Sequence, residues 1–393
     1  MGIRRLKYVS SAQSKTIRIC HVSTVHPADD SRVFWKESVS LAAEGYDVTL
    51  LARAKTNYVR EGVKVIAVPT YSSRLRRMTF GALFVTRRAW HERPDVYHVH
   101  DPELVSFVIV HRLLGHRVVY DAHELLSAQV QTKTYLSAPF RRFGVFAAML
   151  ITKTLGCAAN AIVTVNEAVA APFPRSKTTV VSNFPRHCEF PPLDGKNHEQ
   201  QPNLAIIYVG GVSRQRGITQ LVEAMPLVNQ VREVRLRLIG PAESPEYLEE
   251  ISQTRGWEFV DYLGVVKHES IPGHLSGGLA GMVTLLPTPN HELSWPIKLF
   301  EYLAAGLPVV ASDFHEWRRL VEGSACALFV NPESPVAIAN SVILLADSPE
   351  RCKEMGVAGR KLVLEKFTWE SQVSGLESVY QALTRRSHIK VEQ

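Results

Sequence analysis

The chain has 393 residues, enough for two domains that each bury a core of their own. Hydrophobic residues make up 46% and charged residues 21%, which excludes disordered, collagen-like and repeat-array classes. The five cysteines are scattered, so neither a disulfide framework nor a zinc knuckle is indicated, and a reducing cytoplasm is expected. We identify no secretory signal, and no apolar run reaches the roughly 20 residues of a membrane span.

Charge is unevenly distributed along the chain. Residues 1–190 carry 26 Lys and Arg against 14 Asp and Glu, or +12, whereas residues 191–393 carry 19 against 24, or −5. This asymmetry predicts an anionic partner for the N-terminal half: a phosphorylated substrate, an anionic membrane or nucleic acid. A charge that only maintains solubility is the alternative. Nucleic acid is disfavoured because no recognised binding motif accompanies the charge.

Short apolar runs alternate with helical patterns in the first half of the chain. The alternation predicts buried parallel strands joined by helices. One connecting helix is complete, with Asp101 as N-cap, Pro102 at the first helical position, Glu103 in the first turn and Gly115 as the stop. The predicted strands are 17–23, 48–52, 63–69, 96–100, 118–121 and 161–165.

A second series of strands follows a polar, proline-bearing stretch that has the composition of a linker. These strands are predicted at 204–209, 234–239, 280–286, 307–311 and 327–330. The sequence therefore predicts an α/β fold of two doubly wound domains facing a central cleft, where ligands gather at the carboxyl ends of the strands. The expected divisions are 1–190 for the N-terminal domain, 191–203 for the linker, 204–366 for the C-terminal domain and 367–393 for a C-terminal helix that packs back on the first domain.

A glycine-rich loop, GGVSRQRG, spans residues 210–217 between a strand and a helix that begins near Ile218. Gly210 and Gly211 permit close approach of a ligand, the helix N-terminus presents free N–H groups, and Arg214 and Arg216 add positive charge. These features fit a diphosphate. A structural turn with solvated arginines is the alternative, since the spacing matches neither G-x-G-x-x-G nor Walker A.

A mostly apolar helix is predicted between Pro296 and Gly306. Lys298 and Glu301 lie three residues apart, so they share one face near the positive N-terminal end. There the carboxylate can accept hydrogen bonds from two ribose hydroxyls while the lysine neutralises a phosphate. A solvent-facing Lys–Glu pair is the alternative, but the apolar flanks of the helix favour a position in the cleft.

Polar residues follow two predicted strands at the same sheet edge. His123 and Glu124 come after one strand, and His100 ends another, next to Asp101. A histidine at such an edge can reach a sugar hydroxyl or a developing charge, although a structural histidine fits equally well. The spacing is not diagnostic of metal ligands, so we expect no metal.

These segments together resemble glycosyltransferase family 4, which has the GT-B fold. The resemblance rests on the two Rossmann-like domains, the GGVSRQRG loop, the WPIKLFEYLAAGLPVVASD block and FTWE at 367–370, and it covers roughly residues 17–383. YHVHDPEL and YDAHEL resemble the members that act in bacterial surface-polysaccharide and lipopolysaccharide assembly. The resemblance implies retaining, metal-independent transfer, without a cofactor, from a nucleotide-diphosphate sugar to a glycan or lipid-linked acceptor at the inner leaflet.

The resemblance also implies roles for single residues. Glu301 matches the ribose-binding carboxylate, Arg216 the basic residue of the phosphate loop, and His123 the histidine that approaches the transferred sugar. The remaining assignments are Lys298 at the phosphates, Gly210, Gly211 and Arg214 at the donor, and His100 and Glu124 on the acceptor or cleft side.

Two positions depart from the family pattern. The glutamate expected eight residues before Glu301 is Leu293, next to Glu292, and the arginine expected after the loop glycine is Gly211. Arg214 or Lys298 must then supply the second positive charge. The departures leave two other functions open: a non-catalytic sugar-nucleotide-binding or membrane-recruiting subunit, and a GT-B epimerase that releases a changed sugar nucleotide without an acceptor.

Two stretches, 73–90 and 136–155, mix arginine with large apolar residues. This is the composition of a helix that lies on anionic lipid, although core-facing amphipathic helices share it. With the +12 charge of the first half, it leads us to expect a cytoplasmic protein with peripheral contact to the inner membrane leaflet.

Overall fold

The computed structural model describes residues 16–131, 137–190 and 204–385. The chain divides into two compact units, the first made by the described part of 1–121, 157–162 and 377–393, the second by that of 122–156 and 163–376. The predicted linker, 191–203, lies outside the described residues, and the predicted domain boundaries stay predictions. Among the described helices, none has both the length and the apolarity needed to cross a membrane.

The first sheet has eight strands: β1 (Arg18–Pro27), β2 (Asp47–Arg53), β3 (Tyr58–Arg60), β4 (Val63–Val68), β5 (Val96–Val99), β6 (Val118–Ala122), β7 (Ala161–Thr164) and β8 (Thr178–Val180). Their order is β3-β4-β2-β1-β5-β6-β7-β8. The pairs from β4 to β6 are parallel, as predicted, and β3 adds an antiparallel edge strand. Sequence analysis missed β3 because most of its side chains are exposed.

The second sheet has six strands: β9 (Leu204–Val209), β10 (Val234–Ile239), β11 (Val260–Gly264), β12 (Ala280–Val283), β13 (Val309–Ser312) and β14 (Ala327–Val330). All pairs are parallel in the order β11-β10-β9-β12-β13-β14, the strand order of a Rossmann fold. Alternate residues of β9 enter opposite cores: Ile206 and Tyr208 on one face, Ile207 and Val209 on the other. The prediction of two doubly wound α/β sheets is confirmed.

Helices connect the strands. They are α1 (Val39–Ala43), α2 (Arg74–Arg76), α3 (Ala82–Glu92), α4 (Val105–Leu113), α5 (Leu126–Gln131), α6 (Ala138–Ala158), α7 (Glu167–Ala170), α8 (Ile218–Asn229), α9 (Pro245–Ser252), α10 (Ile271–Leu275), α11 (Pro289–Leu293), α12 (Ile297–Ala304), α13 (His315–Leu320), α14 (Pro335–Ala346), α15 (Pro349–Lys366) and α16 (Glu370–Arg385). A π-helical segment, Ser31–Ser38, leads into α1, and another, Arg77–Gly81, into α3. Trp369, Val373, Leu376 and Tyr380, predicted on one face of the last helix, are all buried.

Asp101 stands at the N-cap position of the helical turn after β5, with Pro102 at the first helical position as predicted, but its side chain makes no capping hydrogen bond. Its carboxylate instead accepts hydrogen bonds from the backbone N–H groups of Thr24 (2.5 Å) and Val25 (3.1 Å) and from the Ser23 hydroxyl (3.0 Å). Asp101 therefore fixes the end of β1. Gly115, with a φ of +79°, stands just after the end of α4 as expected.

Candidate functional site

The glycine-rich loop is held in place by backbone hydrogen bonds. Gly210 N–H donates to the Ile239 carbonyl (2.9 Å), Val212 N–H donates to the Pro241 carbonyl (2.8 Å), and the Tyr208 hydroxyl donates to the Gly211 carbonyl (2.8 Å). Gly217 ends the loop with a φ of +71°, and a Cβ there would lie 2.0 Å from the Thr284 carbonyl oxygen. Position 217 therefore accepts only glycine without a shift of the backbone.

The two arginines of the loop have different surroundings. Arg216 bends back over the glycines, with its Nε 3.8 Å from the position of a Cβ on Gly211. Burial raises the pKa of Tyr208 to about 12, and the positive charge of Arg216, with a smaller contribution from its hydrogen bond, opposes that rise. Arg214 pairs instead with Glu250 and lies 4.8 Å above the Tyr247 ring. Only Arg216 is directed toward the glycines.

Helix α12 carries the second pair of predicted charges. Lys298 forms an ion pair with Glu301, and their side chains are 28% and 11% exposed. The neighbouring Tyr302 is buried, and its hydroxyl accepts a hydrogen bond from Val209 N–H (2.7 Å), the residue before the loop. A Cβ on Gly281 would lie 2.2 Å from the Tyr302 ring, so the ring can take this position only because residue 281 of β12 is glycine. The hydrogen bond between Val209 N–H and the Tyr302 hydroxyl therefore connects α12 to β9, the strand that precedes the loop.

A cavity of about 530 Å³ opens beyond the carboxyl ends of β12, β13 and β14. Glu292 and Leu293 both line it, and the Leu293 carbonyl also accepts a hydrogen bond from Asn166 Nδ2 (3.2 Å). The side chains of Asp313, His315 and Asn331 add polar groups to its wall. A carboxylate is thus present at this wall even though residue 293 is leucine.

The residues predicted for the acceptor side occupy unlike positions. His123 is half-buried just past β6, and Glu124 is exposed, with its carboxylate accepting a hydrogen bond from Gln129 Nε2 (3.1 Å). His100 differs, because its side chain has no exposure to solvent and its ring stacks on His98 and His21. A fully buried ring cannot touch an acceptor, so we do not retain His100 on the acceptor side.

Around His100 lies a buried polar cluster that sequence analysis missed. The Arg32 guanidinium makes two hydrogen bonds to Asp121, Nε to Oδ2 at 3.0 Å and a terminal nitrogen to Oδ1 at 3.1 Å, and its Nε lies 2.9 Å from Glu37 Oε1. His98 Nδ1 is 2.6 Å from the Tyr380 hydroxyl. The available sequence evidence was polar residues inside apolar strands, His21 in β1 and His98 in β5, but nothing local indicated their partners.

Two family models match most of the chain. Residues 31–183 match the model described as glycosyl transferase 4-like domain, and residues 203–348 match the model described as glycosyl transferases group 1. The chain belongs to the group 1 glycosyl transferases. The group 1 segment contains Arg216, Lys298 and Glu301, and the 4-like segment contains His123 and Glu124.

Curated relatives of this group 1 chain are distant. The α-D-kanosaminyltransferase of Streptomyces kanamyceticus is 26% identical over 180 residues, 45% of this chain and 45% of that protein. The chain thus spans about half the length of the first curated relatives it matches. A phosphatidyl-myo-inositol mannosyltransferase of Mycolicibacterium smegmatis is 24% identical over 355 residues, 86% of each chain.

Solved structures share the fold of the group 1 chain. Sucrose-phosphate synthase from Thermosynechococcus elongatus superposes with a TM-score of 0.76 at 19% identity, covering 94% of this chain and 100% of that one. A glycosyltransferase from Rickettsia africae gives a TM-score of 0.71 at 12% identity, covering 94% and 99%. The two Rossmann-like sheets are those of the GT-B fold.

Proposed function

We propose that this protein is a retaining, metal-independent glycosyltransferase that moves a sugar from a nucleotide-diphosphate sugar to a glycan or lipid-linked acceptor. The observation that supports this proposal is the hydrogen bond between Val209 N–H and the Tyr302 hydroxyl (2.7 Å). It fixes the helix that carries Lys298 and Glu301 to the strand that ends in the glycine loop. In this proposal the ribose site on that helix and the diphosphate site at the loop share one frame.

In this proposal, catalysis consists mainly of stabilising the leaving group. The diphosphate lies against Gly210 and Gly211, where no side chain blocks its approach, and Arg216 faces its negative charge. Glu301 accepts hydrogen bonds from the ribose hydroxyls, and Lys298 turns from Glu301 to a phosphate. Fixed positive groups then offset the charge that develops as the sugar leaves, so no protein nucleophile and no cofactor is required.

His123 is the group we assign to the transferred sugar, and Glu124 to the acceptor side. Both assignments come from the family resemblance of YDAHEL. A histidine with part of its ring in solvent can donate a hydrogen bond to a sugar hydroxyl at neutral pH. Arg214 is a less favoured donor contact than Arg216, because Glu250 already holds it.

The finer assignments draw on the relatives. Several are named for α-products, including the α-D-kanosaminyltransferase and an α-(1→4)-mannosyltransferase, which favours retention from an α-linked donor. The phosphatidyl-myo-inositol mannosyltransferase has a lipid acceptor in its name, which favours a lipid-linked acceptor here. A role in exopolysaccharide, capsule or lipopolysaccharide synthesis follows from the resemblance of YHVHDPEL.

Donor binding tests the proposal most directly. A panel of nucleotide sugars is screened for thermal stabilisation, since only a bound ligand shifts the folded state by mass action. We expect Glu301→Gln to weaken the best donor at least about tenfold with little change in Tm, because a charged acceptor for two hydroxyls is lost. Glu365→Gln is the matched control, since Glu365 forms an exposed pair with Lys361 on α15.

Unchanged donor affinity in Glu301→Gln would remove the ribose assignment. Product analysis without acceptor then separates the functions. Slow release of free sugar supports a transferase, a changed sugar nucleotide supports an epimerase, and an intact donor supports a binding subunit.

We also propose peripheral contact with an anionic membrane, through α6. Five large apolar side chains of this helix are more than half exposed: Phe140, Phe143, Phe146, Met149 and Leu150. The helix contains three basic residues and no acidic one. The other predicted stretch is less suitable, because Arg74 and Arg77 both pair with Glu103 (2.7 and 2.8 Å). Its charge is partly neutralised within the protein.

Vesicle binding tests this contact. Binding should rise with the fraction of anionic lipid and fall with salt, because the attraction is screened over about 8 Å at physiological ionic strength. Replacing both Arg141 and Arg142 by glutamine should weaken binding roughly 30-fold, at about 1 kcal/mol for each charge near the surface. The same change at Arg351 and Lys353, exposed on α15, is the control. Salt-insensitive binding, or equal loss in both double variants, would contradict the proposal.

A further inference from the structure

Three histidines and a glutamate converge in the interior of the first unit. His21 comes from β1, His98 and His100 from β5 and its end, and Glu37 from the π-helical segment before α1. All four side chains have no exposure to solvent. Each offers one nitrogen or oxygen such that these four atoms all lie within 4.8 Å of one another. The cluster is independent of the loop and helix assigned to the nucleotide sugar.

The spacing of these atoms is close to that of metal ligands. Glu37 Oε2 lies 3.7 Å from His21 Nδ1, 4.0 Å from His98 Nδ1 and 3.9 Å from His100 Nε2, and the two nitrogens of His21 and His100 are 3.0 Å apart. Tetrahedral zinc, with bonds of about 2.0–2.2 Å, requires ligand atoms roughly 3.3 Å apart. Binding an ion would require separations of up to 4.8 Å to close to about 3.3 Å, and His98 Nδ1 would exchange its contact with the Tyr380 hydroxyl (2.6 Å) for the ion.

Polar atoms of this cluster lack hydrogen-bond partners. Glu37 Oε2, the oxygen that faces the three histidines, is buried without one. So are Glu37 Oε1, which lies 2.9 Å from Arg32 Nε, and Nε2 of His21 and of His98, the ring nitrogens opposite the Nδ1 atoms that face Glu37. They are four of the nine such side-chain atoms found over the described residues, so the deficit is concentrated here. An unsatisfied buried polar atom costs about 1–3 kcal/mol, and an ion bound between Glu37 Oε2 and the histidines would remove that cost for Oε2.

The surroundings provide the support that a metal-binding histidine requires. Asp121 Oδ2 lies 3.4 Å from His100 Nδ1, the ring nitrogen opposite the one that faces Glu37. A carboxylate behind a ligating histidine fixes the ring and strengthens the ligand. Arg32 contacts both buried carboxylates, with two hydrogen bonds to Asp121 and its Nε 2.9 Å from Glu37 Oε1, so Oε2 of Glu37 is the carboxylate oxygen that faces the cation.

We propose that His21, His98, His100 and Glu37 form a buried structural site for a divalent transition metal, with zinc as the best match to three imidazoles and a carboxylate. The rings stack at 14° to 31° to one another, so binding turns at least one of them until the lone pairs converge. The ion joins β1, β5 and the π-helical segment. Its contribution is to the stability of the first unit, not to sugar transfer.

The experiment uses the full chain without an affinity tag. We measure the zinc content by mass spectrometry, and Tm before and after a chelator. We expect about one zinc per chain and a fall in Tm of at least about 5 °C on removal, reversed by Zn²⁺ and not by Mg²⁺. Glu37→Gln, which preserves the side-chain shape, should lower the zinc content at least fivefold and abolish the response to chelator.

The matched control is His111→Gln, because His111 is a buried histidine of the same unit that bonds to His116 (2.9 Å) and lies outside the cluster. This variant should retain its zinc. Wild-type protein that holds no zinc and gains no Tm from added Zn²⁺ would overturn the proposal in favour of a neutral, hydrated cluster. Equal zinc in both variants would overturn it too, since other ligands then bind the ion. If Glu37→Gln does not fold, the wild-type response alone decides.

Discussion

In the first unit, Arg32, Glu37 and Asp121 lie wholly inside the protein, whereas in the second unit Lys298 and Glu301 keep part of their side chains in solvent and Arg216 is exposed. Buried charges must be compensated by one another, and removing one leaves its partner as an uncompensated charge inside the protein. Partly exposed charges can exchange one partner for another at little cost. The first arrangement suits a fixed framework and the second suits a site that must accept and release an anionic ligand.

The comparison predicts its largest effect at Arg32. Arg32→Met should lower the free energy of unfolding by about 3–5 kcal/mol, because Asp121 is left as an uncompensated buried charge. Arg235→Met is the control: Arg235 pairs with Asp261 near the surface, and its loss should cost less than about 1 kcal/mol. Urea denaturation measures both. A similar loss of unfolding free energy in the two variants would mean that burial does not determine how much each charge contributes to stability.

The second prediction concerns the exposed charges of the loop and α12. Arg216→Ala and Lys298→Ala should each reduce kcat about 100-fold, because a positive group is lost from the leaving diphosphate, with little change in Tm. Arg214→Ala should change kcat much less, since Glu250 already binds Arg214.

A double variant sharpens this assignment. Gly211→Arg in the Lys298→Ala background restores an arginine where the family pattern has one, and we expect partial recovery of kcat. No recovery would show that Lys298 does not compensate for the missing arginine.

The smallest effect is a pH dependence of the first unit. Burial, with a smaller contribution from His116, lowers the pKa of His111 to about 4 from its ordinary 6.5. Below pH 6.5, His111 binds a proton in the unfolded chain but stays neutral in the folded protein, so the free energy of unfolding falls as the pH drops toward 4. Between pH 6.5 and pH 5 the loss should be about 2 kcal/mol. His111→Gln should remove this pH-dependent loss from the free energy of unfolding measured by urea denaturation at each pH. An unchanged dependence of that free energy on pH would contradict the assignment to His111.

Regular elements with strong local patterns were predictable from sequence. Strands β9, β10 and β14 have the predicted bounds. Strand β9 is a continuous apolar run because five of its six residues are buried, whereas β10 alternates apolar residues with the half-buried Arg235 and Arg237. Strand β11 was missed because only one of its five residues is fully buried.

The polar contacts were less predictable, because they join residues far apart in the chain. Asp101 matched the pattern of a helix cap, yet the end of β1, 77 residues away, supplies more hydrogen-bond donors than the helix end does. Arg32 and Asp121, separated by 89 residues, meet only once the sheet has formed. For the proposed donor site, sequence spacing correctly paired Lys298 with Glu301 but gave no indication that Arg214 would pair with Glu250.

The backbone hydrogen bonds that hold the glycine loop bear on the thermodynamics of ligand capture. A loop that is already ordered loses little conformational entropy when a diphosphate arrives, so more of the electrostatic attraction remains as affinity. Heat of binding should then come mostly from the ligand contacts themselves. A side chain at Gly281, inside the sheet and remote in sequence from the loop, would displace Tyr302. The loop would then be less ordered before binding, and more conformational entropy would be lost when the ligand binds.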